Sequence, residues 1–202
     1  MFDCDGVLFD SRQANVLFYN DLLRRHGRPP MSEADVDFVH IHTAHESIHY
    51  LFRDDPRLAG EVWRAPGLDY GPYIGRMVPE PTLRPLLEGL RGRCALAVCT
   101  NRTTTIRDVL ESHRLSAYFD LVVSALDVPR PKPYPDQLRR ALATFGLPPQ
   151  ATIYVGDSTV DMQAAQAAEV PFVAYRNRGL AAAVHIERLS ELAPLVASGL
   201  PR

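Results

Sequence analysis

The chain has 202 residues, 46% of them hydrophobic and 23% charged, and a formal net charge of −2. This composition indicates one globular domain, or one domain with a modest insertion, and it excludes an intrinsically disordered chain. The near-neutral charge gives no basis for binding nucleic acid or an anionic membrane, and the first residues lack a signal-peptide pattern, so we expect a cytoplasmic protein with neither of those partners.

Only Met1 and Phe2 precede the first pair of carboxylates, Asp3 and Asp5. A strand usually runs about five or six residues, so the strand expected here is short. We expect either that the natural protein begins upstream with an apolar stretch, or that the first strand is truncated and compensated elsewhere.

Residues 12–79 have the pattern of a small helical segment. Ser32-x-x-Asp35 and Thr43-x-x-Glu46 have the spacing of capping boxes, which predicts two short helices. An earlier helix is predicted by an apolar stripe at helical spacing, made of Ala14, Leu17, Phe18 and Leu22. We expect this segment to be inserted after the first strand, with hinges at residues 10–12 and 79–81.

From about residue 81, short apolar runs alternate with helical patterns. The predicted strands are Ala95–Cys99, Leu121–Ser124, Thr152–Val155, Phe172–Tyr175 and Val184–Ile186. The predicted helices are Thr82–Arg91, Thr104–His113, Asp136–Phe145, Thr159–Ala168 and Ser190–Ala197. This alternation is typical of βαβ units. It predicts an α/β fold, with a doubly wound parallel sheet covered by helices on both faces.

Polar residues follow four of the predicted strands at their carboxyl ends, where open α/β sheets bind ligands. Paired carboxylates at one edge favour a hard cation, Mg²⁺ by default, and an ammonium group with hydroxyl and amide groups suits a phosphate. In chain order the polar residues are Asp3 and Asp5, then Thr100 and Asn101, then Lys132, then Asp157 and Asp161.

Lys132 is distinctive because the chain has 21 arginines and this single lysine. It lies in the segment Pro129–Pro135, whose alternating prolines favour extended backbone at the residues between them. A proline-rich linker or an SH3 ligand is the alternative interpretation. We interpret the segment as a stiff loop that directs one compact ammonium group at a phosphate.

These residues resemble the four motifs of the haloacid dehalogenase superfamily of aspartate-nucleophile phosphotransferases. The motifs are Asp3-x-Asp5-Gly6-Val7, Thr100-Asn101, Lys132-Pro133 and Gly156-Asp157-x-x-x-Asp161. The resemblance implies a Rossmann-like core made of residues 1–11 and 80–202, with residues 12–79 as a helical C1-type cap. The chain is most similar to phosphoglycolate-phosphatase-like and β-phosphoglucomutase-like members.

The resemblance also implies a Mg²⁺-dependent phosphatase that acts on a small phosphorylated metabolite through an aspartyl-phosphate. Asp3 is the implied nucleophile, and Asp5 the implied acid and base. Because Ser158-x-x-Asp161 also has capping-box spacing, a structural role for Asp161 stays open. The other implied roles are phosphate binding by Thr100, Asn101 and Lys132, and metal binding by Asp3, the backbone carbonyl of Asp5, Asp157 and Asp161.

Three alternatives remain open. A phosphomutase of the β-phosphoglucomutase type has the same four motifs, and a non-catalytic binding protein would predict a broken motif, which is not found. His45-Glu46-Ser47-Ile48-His49 matches the HExxH motif of zinc proteases, but pairing with Thr43 explains Glu46 as a helix cap. The candidates for selecting the leaving group are Arg12, Arg53 and the His40–His49 stretch.

Overall fold

A parallel sheet forms the centre of the structure, a computed structural model that describes residues 1–65 and 68–198. The strands are β1 Phe9–Asp10, β2 Val78–Pro79, β3 Ala97–Cys99, β4 Leu121–Val123, β5 Tyr154–Gly156, β6 Phe172–Tyr175 and β7 Val184–Ile186. The helices are α1 Arg12–Arg25, α2 Glu33–Ile41, α3 Ala44–Leu51, α4 Pro56–Arg64, α5 Gly71–Ile74, α6 Leu83–Leu90, α7 Thr105–Ser112, α8 Asp136–Phe145, α9 Thr159–Ala167 and α10 Leu192–Ser198.

The strands of the main sheet all run in one direction. β3 pairs with β4, and β5 with β6 and β7, in parallel register. Phe2 joins the two groups because it forms parallel bridges to Val98 in β3 and to Val155 in β5. The order is therefore β4–β3–Phe2–β5–β6–β7, and the short first strand that we expected is reduced to bridges at the centre of the sheet.

Alternate residues of the strands face opposite helical layers. Ala97 and Cys99 pack in one buried apolar cluster with side chains of α8 and α9. Val98 and Val155 belong to the other cluster, with side chains of α6, α7 and α10. Burial of both faces explains why the strands are continuous apolar runs, and it confirms the predicted α/β fold. No helix of the described residues has the length and apolarity to span a membrane.

The helices α1 to α5 lie between two crossing segments of the chain. There β1 and β2 pair antiparallel, with Phe9 opposite Pro79 and Asp10 opposite Val78. These two residue pairs lie at or beside the predicted hinges. The division into core and cap domains stays a prediction. The capping boxes of Ser32 with Asp35 and of Thr43 with Glu46 are both confirmed.

Some sequence predictions need correction. Leu17 is 41% exposed, because the buried face of α1 turns instead toward Tyr19 and Leu23. On a helix, Leu17 projects roughly opposite the centre of that face. The strand expected at Thr152–Val155 lies at Tyr154–Gly156, and the last helix begins at Leu192 after a short 3-10 turn. Other boundaries agree within two residues, a difference common at the ends of elements.

Candidate active site

A buried charge cluster lies at the carboxyl edge of the sheet. The Nζ of Lys132 is 2.7 Å from Oδ1 of Asp3 and 2.7 Å from Oδ1 of Asp161. It also donates to the hydroxyl of Tyr154 at 2.9 Å. The Lys132 side chain is only 1% exposed, so its charge acts in a medium of low polarity, where it is poorly screened. The structure thus brings together residues from the first, third and fourth motifs.

Asp161 holds Lys132 and also caps helix α9. Its Oδ2 accepts hydrogen bonds from Ser158 Oγ at 2.5 Å, Ser158 N at 3.1 Å and Asp157 N at 3.3 Å. The predicted capping box is therefore present. Although burial raises the pKa of Asp161, Lys132 and these hydrogen bonds lower it below its usual value. Asp161 is consequently a fixed negative charge that orients the ammonium group.

Asp3, Asp157 and Asp161 form a group of three carboxylates whose nearest oxygens all lie within 4.8 Å of one another. Burial raises the pKa of Asp3 to about 7, in opposition to Lys132, which lowers it. Burial and the charges of its two neighbours raise the pKa of Asp157 well above its usual value. Its carboxylate accepts no hydrogen bond from the described residues. When all three carboxylates are ionised, these hard oxygen donors carry more negative charge than Lys132 neutralises, which suits a divalent cation.

Two glycines allow these carboxylates to approach the backbone. A Cβ at Gly6 would overlap the carboxylate of Asp157, and the φ of Gly6 is +75°, a conformation that other residues rarely adopt. A Cβ at Gly156 would overlap the side chain of Asp161. The glycines of the first and fourth motifs are therefore steric requirements of the acidic group.

Asp5 belongs to a second charge cluster, which faces the helical segment. Its Oδ1 accepts a hydrogen bond from Nη2 of Arg102 at 2.7 Å. Arg102 also contacts Tyr70, whose hydroxyl is 3.2 Å away and whose ring centroid is 4.7 Å from the guanidinium carbon. Tyr70 in turn donates to Asn15 at 2.6 Å. Burial raises the pKa of Asp5, but Arg102 outweighs it, and the pKa lies below its usual value.

Arg102 was not among the predicted site residues. Its place directly after Thr100-Asn101 at a strand end is the signal that points to it. Tyr70 and Asn15 both lie in the helical segment, Tyr70 in a long connection and Asn15 in a predicted helix. No motif includes either residue. The second cluster therefore joins a motif residue to side chains that only tertiary packing reveals.

Thr100 and Asn101 lie between the two clusters and are buried. Nδ2 of Asn101 donates to the backbone carbonyl of Lys132 at 3.0 Å, which ties the second motif to the third. The Oδ1 of Asn101 is buried and has no hydrogen-bond partner among the described residues. The backbone N–H groups of Cys4, Asp5 and Asn101 also have no acceptor within the part of the chain that the structure describes.

A cavity of about 240 Å³ opens above these residues. The cavity volume is near the lower limit for ligand pockets, which suits a small substrate. The predicted candidates Arg12 and Arg53 do not line this cavity, because Arg12 is paired with Asp37 at 2.8 Å and Arg53 lies 3.4 Å from Asp35. Its lining includes two groups of residues: Asp3, Asp5, Thr100, Asn101, Arg102 and Lys132 from the strand ends, and Phe18, Tyr19, His40, His42, Trp63 and Tyr70 from residues 12–79.

The HExxH sequence has a structural role on α3. Glu46 accepts hydrogen bonds from the backbone N–H of Thr43 at 2.9 Å and from its hydroxyl at 2.8 Å. The His45 ring packs against those of His49 and Trp63. Among the described residues, the potential metal-binding group is the three carboxylates at the sheet edge.

Comparisons with known proteins agree with this geometry. Residues 1–175 match the family described as haloacid dehalogenase-like hydrolase. A phosphoglycolate phosphatase of Rhodobacter capsulatus is 33% identical over 87% of this chain and 82% of its own length. One from Escherichia coli strain K12 is 39% identical over 73% of this chain, but that match spans only 52% of its own length.

A solved structure shows the same fold. A crystal structure of a HAD-superfamily hydrolase, subfamily IA, variant 1, from Geobacter sulfurreducens superimposes with a TM-score of 0.79. It is 39% identical in sequence, and the match covers 96% of this chain and 94% of that one.

Proposed function

The chain belongs to the haloacid dehalogenase-like hydrolase family, and we propose that it hydrolyses small phosphomonoesters through an aspartyl-phosphate on Asp3. The substrate class is that of phosphoglycolate or a sugar phosphate. The observation that carries the proposal is the buried group of Asp3, Lys132 and the neighbouring carboxylates at the sheet edge. Such a group places a nucleophilic oxygen and concentrated positive charge beside one another.

In the proposed first step, Asp3 attacks the phosphorus atom and the ester oxygen leaves. The nucleophile must be ionised, and the ammonium group of Lys132 at 2.7 Å stabilises that form against the effect of burial. Lys132, Thr100 and the unpaired N–H groups near Asp5 and Asn101 are placed to bind phosphoryl oxygens.

Asp5 is the proposed acid and base. It lies two residues after the nucleophile and faces the same cavity. In the first step it gives a proton to the leaving oxygen, and in the second it takes one from the water that attacks the aspartyl-phosphate. The lowered pKa of Asp5 suits the second task, which requires the ionised carboxylate.

The acidic group is the proposed site of a Mg²⁺ ion. Asp3, Asp157 and the backbone carbonyl of Asp5 are the proposed ligands, and Asp161 completes the group. A bound Mg²⁺ supplies positive charge to the phosphoryl oxygens. Because the oxygens of Asp161 already accept hydrogen bonds from several donors, its observed contacts favour positioning of Lys132, and direct metal binding stays a prediction.

The helical segment, residues 12–79, is the proposed cap. Its aromatic and histidine side chains line the same cavity as Asp3 and Asp5. In this position the segment excludes bulk water from the site and contacts the leaving group rather than the phosphate. Arg12 and Arg53 lie outside the cavity, so the predicted candidates that touch it are His40, Ile41, His42 and Ala44 of the His40–His49 stretch.

The test is a screen of purified protein against small phosphomonoesters, with and without Mg²⁺. We expect Mg²⁺-dependent release of inorganic phosphate. Each sugar phosphate is also assayed for isomerisation, since a phosphomutase would interconvert isomers and release little phosphate. Hydrolysis that is independent of the metal, or the absence of hydrolysis with every ester, would contradict the proposal.

A further inference from the structure

Arg102 lies on the cavity wall beside Asp5, and the proposed reaction assigns it no task. Among the described residues that line the cavity, Lys132 and Arg102 carry a permanent positive charge. Lys132 lies at 2.7 to 2.9 Å from Asp3, Asp161 and Tyr154, and the proposed reaction assigns its charge to the phosphoryl group. Arg102 is therefore the cation left for another part of the substrate.

The guanidinium of Arg102 has five N–H donors, and several are weakly used. Nη2 donates to Asp5 at 2.7 Å and to the Tyr70 hydroxyl at 3.2 Å, and the contact of Nη1 with Thr105 is long, at 3.5 Å. Nε is buried and has no hydrogen-bond partner among the described residues. A buried donor of a charged group without an acceptor is unfavourable, so an acceptor oxygen from a ligand at Nε would be favourable. The ring of Tyr70 fixes the plane of the guanidinium.

We propose that Arg102 binds a carboxylate on the leaving group, so that the enzyme prefers phosphate esters of α-hydroxy acids. The proposal rests on the proposed function, in which Asp5 protonates the leaving oxygen. That oxygen must lie within hydrogen-bond reach of Asp5, and Arg102 Nη2 is 2.7 Å from the Asp5 carboxylate.

The geometry of such an ester matches these positions. In the phosphate ester of an α-hydroxy acid, the carboxylate is attached to the carbon that bears the leaving oxygen. A leaving oxygen at Asp5 therefore brings the carboxylate beside the guanidinium, whose unpaired Nε–H can donate a charge-assisted hydrogen bond to one of its oxygens. An ester without this charge leaves the buried donor of Arg102 unpaired.

The test compares phosphoglycolate with its amide, carbamoylmethyl phosphate, which has nearly the same shape and no carboxylate charge. We expect wild-type protein to prefer phosphoglycolate in kcat/KM by about 10- to 100-fold, the usual range for a charge-assisted hydrogen bond. Arg102→Gln should remove this preference, and Arg102→Lys should keep part of it. The ratio of the two substrates cancels any difference in the amount of folded protein.

Two further measurements separate a recognition role from a structural one. Tyr70→Phe removes the hydroxyl beside Arg102 without changing its charge, so the preference for phosphoglycolate should persist. In an Asp3→Asn background, which lacks the nucleophile, calorimetry gives the dissociation constants of both esters. We expect the preference in binding as well, and its loss when Arg102→Gln is added.

Equal losses on both esters, in turnover and in binding, would show that Arg102 only positions Asp5 or contacts the phosphoryl group, and the inference would be wrong. Absence of hydrolysis of both esters and of p-nitrophenyl phosphate by wild-type protein would instead contradict the proposed function. The binding comparison then decides the role of Arg102 by itself.

Discussion

The ion pairs of the helical segment and those at the sheet edge differ in burial. In the helical segment, Arg12 pairs with Asp37 where the side chains are 45% and 66% exposed. At the sheet edge, Lys132 pairs with Asp3 where they are 1% and 10% exposed. Water screens the first pair, so it contributes little to stability or chemistry.

The buried pair is the proposed reactive pair because its charges are confined. Desolvation raises the pKa of Asp3 to about 7, and Lys132 opposes it. Burying charged groups costs free energy, and strongly shifted pKa values in a cleft are typical of functional sites. The same pairing of a carboxylate with a basic side chain is thus a solvated surface pair in one region and the proposed reactive site in the other. Each prediction below tests this contrast.

The largest effect is expected from one substitution made in both regions. Asp3→Asn removes the attacking oxygen, so activity should fall by at least about 10⁴-fold. Asp37→Asn makes the same chemical change in the exposed pair and should leave both activity and melting temperature unchanged. Rates of phosphate release and thermal melts of the two variants provide the comparison. Substantial activity in Asp3→Asn would remove the nucleophile from the proposal.

Asp5→Asn should have the next largest effect. General acid–base catalysis contributes about 10²–10⁴-fold, so turnover of an alkyl phosphate should fall by this amount, while the nucleophile remains. The defect in the first phosphoryl transfer should be smaller with p-nitrophenyl phosphate, whose leaving group scarcely needs a proton. The rates of the first turnover on both substrates measure this defect. An identical defect on both would mean that Asp5 does not protonate the leaving oxygen.

The stability of the protein, with and without Mg²⁺, should depend on pH because of the buried carboxylates. Asp3 has a pKa of about 7 when folded and about 3.9 when unfolded. Between these values the folded protein binds more protons, so the free energy of unfolding of metal-free protein should fall as the pH rises from about 4 to about 7. Mg²⁺ must displace those protons, so it should stabilise the protein more at pH 8 than at pH 6.

Thermal melts with and without Mg²⁺ measure this dependence. At a Mg²⁺ concentration about 100 times its dissociation constant, the melting temperature should rise by about 5–10 °C. Asp157→Asn removes one of the carboxylates and should reduce the increase, whereas Asp37→Asn should not. An increase that is the same at both pH values would argue against the three carboxylates as the metal site.

Most of the sheet was predictable because its strands are buried on both faces and therefore appear as uninterrupted apolar runs. Phe172–Tyr175 and Val184–Ile186 have the predicted bounds. The first strand was harder to predict, because isolated bridges at Phe2 replace a full strand. The misassignment of Leu17 has a similar cause, since several apolar residues of α1 allow more than one face, and tertiary packing decides between them.

The first charge cluster was likewise predictable, since parallel strands place their carboxyl ends at one edge. Lys132, Asp157 and Asp161 each follow such an end. The second cluster was predictable only in part: Arg102 also follows a strand end, but its 2.7 Å contact with Asp5 was not among the predictions. The contact of Arg102 with Tyr70 depends on how the helical segment packs on the core, which no local spacing determines.

The smallest effect is expected at Glu46, the acidic residue of the HExxH sequence. Its carboxylate accepts two hydrogen bonds from Thr43 at the start of α3, and Gln keeps an acceptor oxygen there. Glu46→Gln should therefore lower the free energy of unfolding by less than about 1 kcal/mol, and Glu46→Ala by more. Phosphatase activity should stay at the wild-type level, and metal analysis should find no stoichiometric zinc. Tightly bound zinc, together with activity abolished by Glu46→Gln, would make the helical segment a catalytic centre. The contrast between a solvated helical surface and a reactive sheet edge would then be wrong, because both regions would carry chemistry.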